Sequence, residues 1–198
     1  MEEKIVIVDY GYGNIFSLKS ALKVLGFETL ITNDPKVIAK CKIIMLPGVG
    51  SFKQAIKSLN DLGITEAIKI AVNKGSGIIG ICLGYQMLFE VSEELGIHQG
   101  LGLIEGKVKK LIPDKNFSNR VPNVGWRPIK LNNNNKCLSK SFNNAMLYFV
   151  HSYIPHVKNS DKVSTYVEFA DTKLDSSIYF KNIAGFQFHP EKSGKIGL

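Results

Sequence analysis

Short apolar runs alternate with stretches of helical periodicity through the first half of the chain. Lys4 to Val8 is a β-branched apolar run of the length of a buried strand, closed by Asp9-Tyr10-Gly11. Ile15, Leu18, Leu22 and Leu25 then fall at i, i+3, i+7 and i+10, one helical stripe, and Gly26 stands where a C-terminal cap belongs. Phe27 to Ile31 and Ile43 to Leu46 read as the second and third strands, the latter stopped by Pro47-Gly48; Phe52, Ala55, Ile56 and Leu59 mark the next helix. A further helix is expected over Thr65 to Asn73 and a fourth buried strand over Gly77 to Ile81. From Leu83, the spacing of Met87, Leu88, Val91 and Leu95 predicts a helix carried through the last of these. Strands alternating with helices imply a parallel sheet covered on both faces.

Beyond Gly96 the pattern changes. Leu101 to Leu111, Val124 to Leu131, Met146 to Ile154, Ser164 to Phe169, Ser176 to Phe180 and Ala184 to Phe188 are all strand-like and bounded by turn residues. The expected architecture is therefore α/β: a mostly parallel central sheet flanked by helices, with added β-strands in the C-terminal half. No linker or repeat interrupts the chain, so residues 1–198 are expected to form one domain; Asn132 to Asn135 is a short polar loop.

Composition narrows the class. With 44% hydrophobic and 21% charged residues over 198 positions, the chain can bury a core, which excludes disordered and collagen-like architectures. Lys and Arg outnumber Asp and Glu 25 to 17; the resulting +8 permits an acidic or phosphorylated partner without demanding one. The longest apolar run, Ile78 to Leu83, is broken by Gly80 and falls far short of the ~18 residues of a membrane span. Met1-Glu2-Glu3-Lys4 puts acids where a secretory leader has a basic region, so the expected setting is the cytoplasm. Cys41, Cys82 and Cys137 are odd in number and widely spaced, without a C-x-x-C pair. Neither a disulfide framework nor a zinc site is indicated, so a special cysteine here is a reactive one.

Cys82 is that candidate. Gly80-Ile81-Cys82-Leu83-Gly84 lies where a buried strand meets a helix and has the G-x-nucleophile-x-G spacing of a nucleophile elbow. The sharp turn requires neighbours without bulk two residues before and after, and it lifts the nucleophile above the strand ends, onto a helix N-terminus that favours thiolate. A lone cysteine beside two packing glycines would be the ordinary reading; the strand-to-helix position reverses it. A base must come from His98, His151, His156 or His189. His189 stands out because Pro190 holds it extended and Glu191, two residues on, faces the same side if the strand continues. A carboxylate on the imidazole fixes its tautomer and completes a Cys-His-Glu relay. His-Pro-Glu alone recurs by chance; with the elbow it becomes specific. Pro47-Gly48-Val49-Gly50, after the third strand, is side-chain-poor backbone suited to aiming N–H donors at an oxyanion, with the Leu83 N–H as the second donor. Taken alone that segment is an ordinary turn.

A competing class is nucleotide binding. Gly11-Tyr12-Gly13-Asn14-Ile15-Phe16 follows the first strand and opens a helix like a dinucleotide fingerprint. Phe16 stands where the third glycine belongs and is expected to obstruct close helix-to-strand packing, so the match is partial.

The elbow Gly-Ile-Cys-Leu-Gly-Tyr-Gln (80–86), Pro-Gly-Val-Gly (47–50) and Gln-Phe-His-Pro-Glu-Lys-Ser-Gly (187–194) resemble the triad, or class I, glutamine amidotransferases. More narrowly, Asp-Tyr-Gly-Tyr-Gly-Asn (9–14), Leu-Phe-Glu (88–90), Gly-Leu-Gly-Leu-Ile (100–104), Val-Gly-Trp (124–126) and Tyr-Phe-Val-His-Ser-Tyr (148–153) resemble the glutaminase subunits of imidazole glycerol phosphate synthase, in order along nearly the whole chain. The resemblance implies the class I amidotransferase fold. It also implies that Cys82 attacks the glutamine carboxamide, that backbone N–H groups of Val49, Gly50 and Leu83 hold the oxyanion, and that His189, oriented by Glu191, protonates departing ammonia and then serves as base for hydrolysis of the thioester. Gln86 and the backbone around Ser152 and Tyr153 match positions that hold the amino-acid end of glutamine. The partner implied is a (β/α)₈ cyclase subunit, paired as a heterodimer, which uses the ammonia on a phosphorylated ribulosyl intermediate; Asn14, the Val49 loop and Trp126 match positions at or near that contact. No cofactor, metal, nucleic acid or membrane is implied.

The chain departs from the family pattern twice. Pro122-Asn123-Val124-Gly125-Trp126 replaces the usual Pro-His-Met-Gly-Trp, which is expected to reshape the pocket a partner fills and keeps open a paralogue that supplies ammonia to a sugar amidation synthase for surface glycans. The family also continues past the position of Leu198 into a final helix.

Overall fold

The computed structural model describes residues 4–113, 120–133, 135–170 and 172–198. Met1-Glu2-Glu3, on which the leader argument rested, and Asn134 of the polar loop lie outside the described residues.

β1 (Ile5–Val8), β2 (Thr29–Thr32), β3 (Ile43–Leu46) and β4 (Gly77–Ile81) alternate with α1 (Ile15–Val24), α2 (Pro35–Ile38), α3 (Phe52–Asp61) and α4 (Ile64–Asn73). After β4 come α5 (Leu83–Met87), β5 (Phe89–Ser92), β6 (His98–Gln99), β7 (Ile104–Lys110), β8 (Asn123–Leu131), β9 (Met146–His151) and β10 (Tyr153–Val157). The chain closes with β11 (Val163–Phe169), β12 (Thr172–Phe180), β13 (Ile183–Phe186) and α6 (Gly194–Gly197). The large sheet has nine strands in the order β2-β1-β3-β4-β13-β12-β11-β8-β9. Its first five strands pair in parallel and the remainder antiparallel. A second sheet runs β10-β7-β5-β6.

Alternation along the strands decides which helix covers which face. Val6, Val8, Ile44, Leu46 and Ile78 pack with Phe52, Ala55 and Leu59 of α3 and Ile64, Ile68 and Ala71 of α4. Ile5, Ile7, Met45 and Ile81 turn to the other face, where Leu18 and Leu22 of α1 meet them together with Cys82. A separate core, with Ile129, Leu147, Phe149, Val167 and Phe188, fills the antiparallel extension.

Two expectations fail where apolar spacing is ambiguous between periods. The helix expected from Leu83 to Leu95 ends at Met87, and Phe89–Ser92 becomes β5 because β6 and β7 offer it ladders on both sides. Leu95 is exposed and has φ 51°, a turn residue. The single strand expected over Met146 to Ile154 is two: β9 pairs with β8 in the large sheet, and past Ser152 the chain crosses to β7 in the small one. The short α2 and β6 were not anticipated.

The elbow depends on glycines for close approach. A Cβ on Gly80 would lie 2.7 Å from the Gly84 carbonyl oxygen, and one on Gly84 would collide with the Leu46 carbonyl oxygen. Because both obstacles are backbone, Gly84→Ala is expected to cost about 3 kcal/mol or more of folding stability, read from urea unfolding, whereas Gly77→Ala, whose Cβ would meet nothing nearer than the Lys42 carbonyl oxygen at 3.8 Å, should cost much less.

Candidate active site

Cys82 sits between β4 and α5 with φ 54° and ψ −108°, a conformation L-residues rarely adopt, and its amide donates to the Phe186 carbonyl at 2.8 Å. This is how the elbow holds the sulfur above the strand ends. The helix that follows is only five residues long, so the thiol meets the local N–H groups of one turn and not the long dipole expected from sequence.

His189 faces the same cavity. Its backbone is extended, as Pro190 requires, with φ −99° and ψ 93°, and its amide donates to the Tyr148 carbonyl at 2.9 Å. The strand does not continue to Glu191, as the expectation supposed. β13 stops at Phe186 and Pro190–Lys192 forms a 3₁₀ turn, which carries the carboxylate back so that Glu191 Oε1 lies 2.8 Å from His189 Nδ1. Ser193 Oγ donates to the His189 carbonyl at 2.6 Å and accepts from the Tyr148 amide at 3.0 Å, which locks the turn. The other ring nitrogen, Nε2, is buried without a hydrogen-bond partner among the described residues. Burial works against the charged ring, but the nearby Cys82 sulfur and the hydrogen bond and charge of Glu191 outweigh it and lift the imidazole from 6.5 to about 9.

This raised value has a testable sign. A folded value above the unfolded one means that the interaction stabilises the protein fully below pH 6.5 and is lost as pH rises through about 9. In Glu191→Gln the ring titration, followed by NMR, should move down, and the fall in stability between those limits should flatten.

The cavity measures about 320 Å³, within the range of small-molecule sites. Val49, Gly50, Leu83, Gln86, Ser152 and Tyr153, all expected from the resemblance, line it with Cys82 and His189. Glu191 stands behind the imidazole. Two of the three expected oxyanion donors are engaged elsewhere: the Val49 N–H donates to the Tyr12 carbonyl at 2.8 Å and the Leu83 N–H to the Gly48 carbonyl at 3.3 Å. Gln86 Nε2 donates to the Tyr153 carbonyl at 2.9 Å, so its side chain also braces the wall.

Sequence reasoning missed Glu94 and Val150, and weighed His151 only as a base before passing it over for His189. Glu94, Val150 and His151 line the cavity as well, and Glu94 Oε2 accepts from the Phe52 amide at 3.1 Å at the start of α3. Glu94 was hidden inside the wrongly extended helix. His151 had no motif partner in sequence, because its neighbours come from β8 and from its own strand crossing.

Asn14 and Trp126 do not line the cavity. Asn14 caps α1, its Oδ1 accepting from the Ser17 amide at 3.3 Å. Trp126 is half exposed on β8 and stacks edge-on against Tyr148, whose ring stands between it and His189. Phe16 is 81% exposed, so its bulk does not obstruct helix-to-strand packing as expected. Cys41 and Cys137 are free thiols away from this site.

A strained cysteine elbow faces a carboxylate-backed histidine across one cavity at the ends of a parallel sheet, the arrangement of a thiol-dependent enzyme. The class-I glutamine amidotransferase model matches residues 6–197. Imidazole glycerol phosphate synthase subunit HisH of Pyrococcus furiosus is 42% identical over 196 residues, covering 99% of this chain and 95% of that protein. The HisH subunit of Chlorobium chlorochromatii is 38% identical over 194 residues, covering 98% and 95%. Among solved structures, PurLQS from Thermotoga maritima superposes with a TM-score of 0.70 at 18% identity, covering 100% of this chain and 92% of that one, and so supports the fold alone. The chain belongs to the class-I glutamine amidotransferases and, within them, to the HisH family. It is therefore a glutamine amidotransferase enzyme.

Proposed function

We propose that the chain hydrolyses glutamine to glutamate and ammonia through Cys82, His189 and Glu191, and hands the ammonia to a cyclase partner that forms imidazole glycerol phosphate and an aminoimidazole carboxamide ribotide. The observation that carries this reading is the joint placement of the Cys82 elbow and the His189–Glu191 pair on one cavity of substrate size.

Cys82 Sγ attacks the carboxamide carbon, and the tetrahedral oxyanion requires N–H groups of Val49, Gly50 or Leu83 to turn toward it. The C–N bond then breaks as His189, charged at neutral pH, gives its Nε2 proton to the departing nitrogen. Water attacks the resulting thioester while Nε2, now neutral, takes its proton; glutamate leaves and the thiol is restored. Glu191 orients the ring throughout. Glu94 places a carboxylate on the cavity wall, suited to the α-ammonium group of glutamine.

Val49, Val124 and Trp126 expose apolar surface, as a protein contact requires. The named relatives are synthase subunits, which favours the imidazole-forming cyclase. The purified chain should be offered that cyclase with its ribulosyl acceptor and, separately, a sugar amidation synthase with its own acceptor. Glutamate release stimulated by the cyclase supports the reading; selective stimulation by the sugar synthase would transfer the chain to the other pathway with its chemistry unchanged.

A further inference from the structure

A buried chain of hydrogen bonds runs from β8 to the sulfur of Cys82. Arg127 Nε donates to Asn123 Oδ1 at 3.1 Å, and a guanidinium can only donate, so the Asn123 amide is fixed with Nδ2 toward His151 Nε2 at 3.0 Å. His151 Nε2 must then accept, which leaves the proton on Nδ1, and Nδ1 donates to the Tyr153 carbonyl at 2.9 Å. That carbonyl also accepts from Gln86 Nε2 at 2.9 Å. Gln86 Nε2 donates in addition to Gln187 Oε1 at 3.0 Å, which turns Gln187 Nε2 toward Cys82 Sγ at 3.7 Å. Asn123, His151, Gln86 and Gln187 are all buried, so each side chain has one orientation that satisfies its neighbours.

The two ends of this chain touch the chemistry at different points. At one end, Cys82 Sγ lies 3.8 Å from the Val150 carbonyl, to which a thiol can donate. Once the sulfur is a thiolate that contact offers it nothing, and the Gln187 N–H is the donor that remains. At the other end, Val150 to Tyr153 form the cavity wall where the chain leaves one sheet for the other, with Ser152 alone between β9 and β10. Two side-chain donors on the Tyr153 carbonyl fix the wall at this seam.

We propose that Gln187 and His151 are positioning residues of the glutaminase site, Gln187 by aiming an N–H at the Cys82 sulfur and His151, as the Nδ1–H tautomer imposed by Asn123, by setting the Tyr153 carbonyl on the substrate-facing wall. This rests on the glutaminase reading given above. The neutral ring agrees with its surroundings. Burial lowers the His151 pKa to about 4, with the Tyr153 carbonyl opposing the shift and His189 adding to it.

The test uses the full chain, labelled with ¹⁵N-histidine for spectroscopy and assayed with its synthase partner for turnover. In the wild type, His151 should show a protonated Nδ1 and a bare Nε2 throughout the neutral range. Asn123→Asp keeps the shape and the Arg127 contact but turns Nε2 into a donor; the tautomer signature should change and KM for glutamine should rise on the order of tenfold, with a smaller change in kcat. Asn123→Leu, which removes the donor without adding charge, should raise KM similarly. Gln187→Met should instead slow alkylation of Cys82 by iodoacetamide at neutral pH on the order of tenfold and lower kcat, with KM little changed. A protonated Nε2 in the wild type, unchanged KM in both folded Asn123 variants, or an unchanged alkylation rate in Gln187→Met would each overturn the proposal. Absence of glutamate release from the wild-type complex would refute the glutaminase reading instead; the tautomer and the alkylation rate need no glutamine and still decide the hydrogen-bond assignment.

Discussion

Cys82→Ala should abolish glutamate release, lowering kcat on the order of 10⁵–10⁶, the scale seen when a covalent nucleophile is removed from a working relay. The loss is expected to be complete because no neighbouring group can stand in for the sulfur: the elbow at φ 54° presents that one atom to the cavity. Cys41 offers no substitute. Its Sγ donates to the Ile38 carbonyl at 3.2 Å, and burial pushes the thiol up. Cys41→Ala and Cys137→Ala should therefore retain activity. Adding His189→Ala to Cys82→Ala should cost little more, since a relay without its nucleophile has nothing left to lose. Glutamate release surviving in Cys82→Ala, measured together with trapping of the thioester, would remove the sulfur from the mechanism.

The isolated chain should be a poor glutaminase, and the synthase partner with its acceptor should raise kcat by on the order of 10² to 10³ or more, the cost of a missing oxyanion donor. The structure gives the reason in two hydrogen bonds. The Val49 N–H is held by the Tyr12 carbonyl at 2.8 Å and the Leu83 N–H by the Gly48 carbonyl at 3.3 Å, so an oxyanion forming on glutamine would find two of its three expected donors occupied. Gly48 and Gly50 flank Val49, and Gly50 with φ 96° already occupies a region that a residue with a side chain would resist, so the loop can turn its peptide groups at modest cost. Val49 is part exposed, where a docking protein can press on it. Because the donors act on the transition state, KM should change far less than kcat. Equal turnover with and without the partner would show that these N–H groups are not what limits the reaction.

Much of this site was legible in the sequence because its parts are local. The β3 and β4 strands, the glycines around Cys82 and the His189-Pro190-Glu191 run each declare themselves within a few residues. What could not be read is what depends on tertiary pairing. The spacing of Met87, Leu88, Val91 and Leu95 fits a helix, and only the presence of β6 and β7 makes Phe89–Ser92 a strand. Glu191 reaches His189 from a turn that the local pattern did not distinguish from a continuing strand. Gln187 lay in plain view inside a recognised motif, yet its orientation is set by Gln86, a hundred residues earlier in the chain, and no spacing rule connects the two.

The pleat of β8 divides the family departure at Asn123-Val124 into two unrelated changes. Asn123 is fully buried and turned inward, whereas Val124 and, one pleat further, Trp126 are about half exposed. Sequence reading took the pair as a single alteration of a partner pocket, but only its second member lies on the outer face. A lineage exploring new partners can therefore drift freely at the outward positions, while any change at the inward ones must be reconciled with Arg127 and His151. The expected result across relatives is that Val124 and Trp126 vary independently of Asn123, whereas a change at Asn123 comes with a compensating one at Arg127 or His151.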